Sequence, residues 1–240
     1  MSHFCEKIRW VLARWQIPYR EEAHFQGFHY IPSFLHGRTP FVPILIDGTK
    51  VITDSSVIMA YLDESFCERE SLYPDTQKTQ IRELEELFNE TLGVETRRWV
   101  YLHMLHHPKI ALATATQKVP AWQRMAATPL FPFAGGFIKK RLSVTAENVQ
   151  AGEQKIRQIF QQVEELLSDG RPYLCGDQFT AADLTFASMT APITLPREYG
   201  IRLPTHDELP HPMKDIAREL ADSRAGKFAL RMFHEEKNRS

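Results

Sequence analysis

The chain has 240 residues, 43% apolar and 25% charged, enough to bury a sizeable core in one or two domains. Its 29 Lys and Arg balance 30 Asp and Glu, which argues against the clustered basic excess of a nucleic-acid-binding surface. Three separated cysteines, Cys5, Cys67 and Cys175, speak against a secreted disulfide framework, and no run approaches the roughly 18 apolar residues of a membrane span. The first residues are not a signal peptide, and a reducing, cytoplasmic setting is expected.

In chain order, Phe4, Ile8, Leu12 and Trp15 recur at helical spacing, with Glu6, Lys7, Arg9 and Arg14 assigned to the other faces. Ser2 is the candidate N-cap, and Pro18 ends the helix. Residues 17–25 are a candidate strand with a charged middle, and 27–37 a loop with room for a short helix. Residues 43–47 and 50–53 flank Asp47-Gly48, a hairpin signal. A helix follows over 54–63 with Val57, Ile58, Tyr61 and Leu62 inward, then a connector over 66–77.

The second half carries no strand pattern. Ile81, Leu84, Phe88 and Leu92 open a long helix that runs to about 107, and Pro120, Pro129, Pro132 and Gly135-Gly136 mark 108–145 as irregular. Ile156 to Leu167 is a second long helix, and the polar end of the chain from Glu235 is expected to be mobile. Phe179-Thr180-Ala181-Ala182-Asp183-Leu184 reads as a capping box with Asp at the reciprocal position and an apolar staple around it. Asp183 is thus a folding residue rather than a catalytic one.

Val-Pro, strand, turn, strand and Asp-Ser in succession over 39–56 put a proline-fixed backbone edge near a helix N-terminus. Together with the capping-box helix, this order resembles the glutathione transferase superfamily. The resemblance implies α/β plus all-α architecture: a thioredoxin-like domain over 1–66, its first strand apparently missing, and an all-helical domain over 78–240. The chain should then begin too far downstream, with Ser2 a mid-chain residue of a longer protein. The resemblance further implies a cis peptide bond at Val42-Pro43, whose backbone grips the cysteinyl part of glutathione. Asp54 and Ser55 would take the γ-glutamyl ammonium and carboxylate, and Arg38 or His36 the glycine carboxylate. Ser2 would hold the glutathione sulfur as thiolate. Cys5 stands at the second position of a CxxC-like layout and is read first as a small packed residue.

Glutathione is therefore the expected co-substrate, attacking a small electrophile or reducing a peroxide in a detoxifying enzyme, with homodimers common in the superfamily. The alternatives are an inactive transferase-like binding or scaffold protein and a Cys5-dependent thiol transferase. His103, His106 and His107 lack a third ligand on their segment, and no metal is expected. Trp99, His103 and His107 are candidates for the electrophile pocket wall. The apolar-then-basic run from Phe131 to Arg141 is read as a cover for the cleft or the helical core, ahead of a membrane or partner surface.

Overall fold

In a computed structural model the structure describes residues 2–67 and 70–237. Helix α1 (His3–Arg14) starts at Ser2, whose extended backbone makes it the N-cap, although its hydroxyl makes no capping bond. Helix α2 (Tyr30–Gly37) leads to the hairpin β1 (Ile44–Asp47) and β2 (Lys50–Thr53), and helix α3 (Ser55–Phe66) follows. The strands are antiparallel with Asp47 opposite Lys50, so the turn residues are Gly48 and Thr49. Gly48 supplies the positive φ this turn needs.

Among the described residues the sheet consists of this hairpin alone. A two-stranded ribbon is marginal by itself, and here it leans on α2 and α3. Gly37 permits the approach: a Cβ there would sit 2.7 Å from Ile44 Cδ1. The strand expected over 17–25 is extended coil instead. Its charged middle is held by side chains rather than by a ladder, with Glu21 bound to Arg9 and Lys118 and the Phe25 N–H donating to Gln123 Oε1 at 2.8 Å.

The helical part comprises α4 (Lys78–Leu87), a π-helical segment (Phe88–Leu92), α5 (Gly93–Met104), α6 (Pro108–Ala115), α7 (Ala121–Arg141), α8 (Ala146–Leu166), α9 (Ala181–Thr194), α10 (Met213–Asp222) and α11 (Arg224–Glu236). The expected long helix from 81 is therefore α4 and α5 joined through the π segment. The irregular region expected over 108–145 is a correction, for α6 and α7 are helical and Pro129 and Pro132 lie inside α7. Each proline removes one N–H donor, but most of that helix lies outside the two affected turns. Buried Ala127 and Ile138 anchor it on either side of the prolines, so tertiary packing overrides the breaker signal.

Helix α9 is buried on nearly every side and forms the axis on which α1, α4, α5, α10 and α11 pack. Its capping box is formed. Asp183, with no exposure, accepts from Thr180 N and Thr180 Oγ1 at 2.8 Å each and from Leu174 N at 2.7 Å. The end expected to be mobile from Glu235 instead contributes buried Glu236 to α11, while 238–240 lie outside the described residues.

Helix α1 differs from the sequence reading on its polar side. Glu6 and Lys7 are completely buried. Glu6 accepts from Gly200 N at 3.0 Å and pairs with Arg9 and Lys237, so α1 is enclosed by charged partners as well as by apolar ones. Trp10 lies between the rings of Phe179 and Phe233, with centroids 5.9 and 4.6 Å away.

Candidate functional site

The start of α1, the loop before β1 and the inner faces of α5 and α7 enclose a cleft of about 870 Å³. Ser2, Cys5, Val42 and Pro43 all line it. The Val42-Pro43 peptide bond is cis, and the Val42 main chain makes no hydrogen bond among the described residues. An exposed backbone edge thus faces the same space as the Ser2 hydroxyl, at the amide-rich start of α1.

The first turn of α1 is fixed from behind. His3 is buried, and its Nε2 is 2.9 Å from the carbonyl of Gly93, at the junction of the π segment and α5. Burial pushes the His3 imidazole down to about 3, so the ring is neutral near pH 7 and donates to that carbonyl. Gly93 is required by this close approach. A Cβ there would lie 2.5 Å from Sδ of Met189, which is fully buried on α9, and 2.9 Å from Cζ of the partly buried Phe4. Gly93→Ala should therefore cost about 1–3 kcal/mol, read as a lower melting temperature; an unshifted melt would mean that α1 yields freely.

Cys5 is the less suitable thiol. Burial pushes its pKa up, with Arg9 pulling in the other direction, so the thiolate is scarce at neutral pH.

Asp54, Ser55 and Arg38 do not line the cleft itself. Asp54 is exposed and caps α3, its Oδ1 accepting from Ser56 N at 2.8 Å and from Val57 N at 3.3 Å. Its φ of 72° is unusual for a residue with a side chain, the kind of local strain that clusters at binding sites. Ser55 beside it is buried. Arg38 is exposed at the C-cap of α2, whereas His36, the other candidate for a glycine carboxylate, does face the cleft.

A buried polar chain supports the start of α3. Asn89 Nδ2 donates to Ser56 Oγ at 2.8 Å, and Lys7 Nζ donates to Asn89 Oδ1 at 3.1 Å and to Glu85 Oε1 at 3.2 Å. Tyr73 OH and Arg82 complete the shell of Glu85 at 2.9 and 3.1 Å. Sequence reasoning missed this chain because it set Lys7 on a face away from the apolar stripe of α1, and its partner Glu85 lies 78 residues on.

The wall contributed by α5 is also corrected. Trp99 is buried in the core against His103, and neither His103 nor His107 reaches the cleft. Arg97, Val100, Tyr101 and Met104 line it instead, a face at i, i+3, i+4 and i+7 that the pattern in the sequence could have revealed. From α7, Phe131, Phe137, Ile138 and Arg141 face the cleft, consistent with the reading of that segment as a cover. Among the described residues no group of three or more His, Cys, Asp or Glu is placed to hold a metal, and no helix is long and apolar enough to cross a membrane.

Comparison with known proteins bears on the family and the fold. The family model described as "Glutathione S-transferase, N-terminal domain" matches residues 1–65, and "Glutathione S-transferase, C-terminal domain" matches residues 146–212. Glutathione S-transferase 1 of Dianthus caryophyllus is 41% identical over 61 residues, which span 25% of this chain and 28% of that protein. The glutathione S-transferase of Ceriporiopsis subvermispora, solved in complex with glutathione, superposes with a TM-score of 0.64 at 17% identity over 98% of this chain and 91% of that one. A glutathione transferase of Phanerochaete chrysosporium gives 0.62 at 14% identity, over 98% and 90% of the two chains. At these identities the solved structures speak for the fold alone: a thioredoxin-like N-terminal part followed by a helical C-terminal domain. With both family models matched in their proper order, the chain belongs to the glutathione transferase superfamily.

Proposed function

We propose that this protein is a cytoplasmic glutathione transferase that binds glutathione along the Val42-Pro43 edge and directs its sulfur at a small electrophile or a peroxide. The observation that carries this reading is the convergence of Ser2 and the free Val42 main chain on one cleft whose opposite wall is largely apolar. The peptide would pair with Val42 in antiparallel fashion. The Ser2 hydroxyl, aided by the N-terminal end of α1, would donate to the sulfur and favour thiolate over thiol. Asp54 would use the carboxylate oxygen left over from helix capping for the γ-glutamyl ammonium, with Ser55 beside it for the carboxylate. For the glycine carboxylate, His36, which lines the cleft, is favoured over Arg38. The raised thiol of Cys5 argues against a Cys5-dependent cycle. A homodimer and a detoxifying role follow from the superfamily and belong to the same proposal.

Steady-state kinetics with 1-chloro-2,4-dinitrobenzene provide the test. Ser2→Ala should lower kcat/KM by about 100-fold, the scale of losing one preorganised donor to a developing anion, while glutathione affinity by calorimetry changes little. Asp54→Ala should do the reverse, weakening glutathione severalfold with a smaller effect on kcat. Retention on immobilised glutathione without turnover of any electrophile or peroxide would instead make this a binding protein.

A further inference from the structure

We infer that the electrophilic substrate is an acid: a molecule with an apolar, aromatic body and a carboxylate or sulfonate that Arg97 and Arg141 receive in the cleft. This inference rests on the transferase reading for its chemistry, but its binding argument stands on the cleft alone.

Every other charged side chain that lines the cleft is satisfied. Arg9 is held by Glu6 and Glu21, Lys118 by Glu21, and Arg20 by Glu22. Asp47 accepts from Tyr61 OH at 2.5 Å. Arg97 and Arg141 are different, for among the described residues neither has a carboxylate partner or a hydrogen bond. Arg97 is largely enclosed, and its buried Nε finds no acceptor. Its guanidinium lies over the ring of Phe4, two residues along from Ser2, at 5.7 Å. Arg141, exposed at the rim, lies over Tyr30 and Phe41 at 5.6 and 5.8 Å, next to Val42.

Each feature of this arrangement points to an anion. A guanidinium without a counter-charge in a partly dry site is unfavourable, and two that repel each other are more so. A ligand carboxylate supplies what the protein withholds, accepting two parallel N–H bonds from a planar fork. The rings of Phe4, Tyr30 and Phe41 hold both cations in place, and the apolar wall of Met104, Phe137 and Ile138 suits a flat hydrocarbon body. Sequence alone hides the pair, because Arg97 and Arg141 lie 44 residues apart on separate helices of a chain with a net charge of −1.

In the reaction, the glutathione sulfur would form a bond to the electrophilic carbon as the bond to the leaving group breaks. With 4-chloro-3-nitrobenzoate, chloride leaves and the thiol proton goes to solvent. That compound and its neutral amide, 4-chloro-3-nitrobenzamide, form the test pair. Equilibrium dialysis should show the carboxylate binding about 10-fold more tightly than the amide. Arg97→Gln should reduce this ratio to near one without changing glutathione affinity, and Arg97→Lys should restore part of it. Arg141→Gln, at the exposed rim, should lower the ratio about threefold and serves as the second variant should Arg97→Gln fold poorly. Equal binding of the two compounds, or a preference undiminished by Arg97→Gln and by Arg141→Gln, overturns the inference. Conjugation followed by chloride release, scaled to the uncatalysed rate of each compound, separates the two readings. An arginine-dependent preference without conjugation leaves the anion site standing and removes the transferase, whereas equal binding with efficient conjugation does the opposite.

Discussion

Asp183→Ala should destabilise the protein by about 3 kcal/mol or more, although Asp183 touches nothing in the cleft. The substitution leaves the N–H groups of Leu174 and Thr180 and the Thr180 hydroxyl without their acceptor in a site closed to water. Each unsatisfied buried donor costs about 1–3 kcal/mol, offset in part because a buried carboxylate is no longer desolvated. Helix α9 is the axis of the helical domain, so the loss is felt globally rather than as fraying of one end. A denaturant midpoint within experimental error of wild type would show that the box carries no weight.

The same residue gives the stability a pH dependence whose sign is fixed. Burial pushes the Asp183 carboxyl up to about 6 from an ordinary value of 3.8, against the pull of its three donors. The folded chain therefore holds this proton more tightly than the unfolded one. That contribution is complete below about pH 4 and is lost as pH rises through about 6. Asp183→Asn carries no such proton, so the stability gap between wild type and this variant should narrow between pH 5 and pH 7. A gap of equal size at both values would mean that the carboxyl is ionised throughout.

The second large effect is expected at Glu85. Lys7 and Glu85 form a buried ion pair between α1 and α4 with 0% and 2% side-chain exposure, which leaves no solvent to screen either charge. Glu85→Ala strands Lys7 with Asn89 as its remaining partner and should cost about 3–5 kcal/mol by urea unfolding. Lys7→Met combined with Glu85→Leu should recover at least half of that loss, because two apolar side chains of similar volume carry no charge to desolvate. If the double variant is as unstable as the single one, the pair is held for packing shape rather than for charge.

These two networks divide what the sequence makes legible from what it hides. The capping box is local: Thr180 and Asp183 are three residues apart, and their chemistry can be read without a partner. The hairpin is equally local, its register set by Gly48 and the Asp47–Lys50 pairing, whereas Asp54, read for a ligand role, proves to cap α3 as well. Lys7, Glu85 and Asn89 are legible only after folding, since 78 residues separate the charges that neutralise each other. The coil at 17–25 fails as a strand for a related reason, because strand formation depends on a neighbour that composition does not supply. In α7 the error runs the other way, with breaker residues overruled by the walls against which the helix packs. In the candidate site, Ser2, Val42 and Pro43 were accessible to motif reading, whereas Arg97 and Arg141 emerge from helix phase and long-range assembly.

Trp10 gives the architecture a mechanical consequence. The indole belongs by chain order to the first sixty-odd residues, yet the rings that clasp it come from the far end of the polypeptide. Pulling α1 away from the helical part would expose this fully buried side chain to water. The two halves of the molecule are thus joined less like beads on a string than like a bolt in its socket, and neither can loosen while the other stays tight.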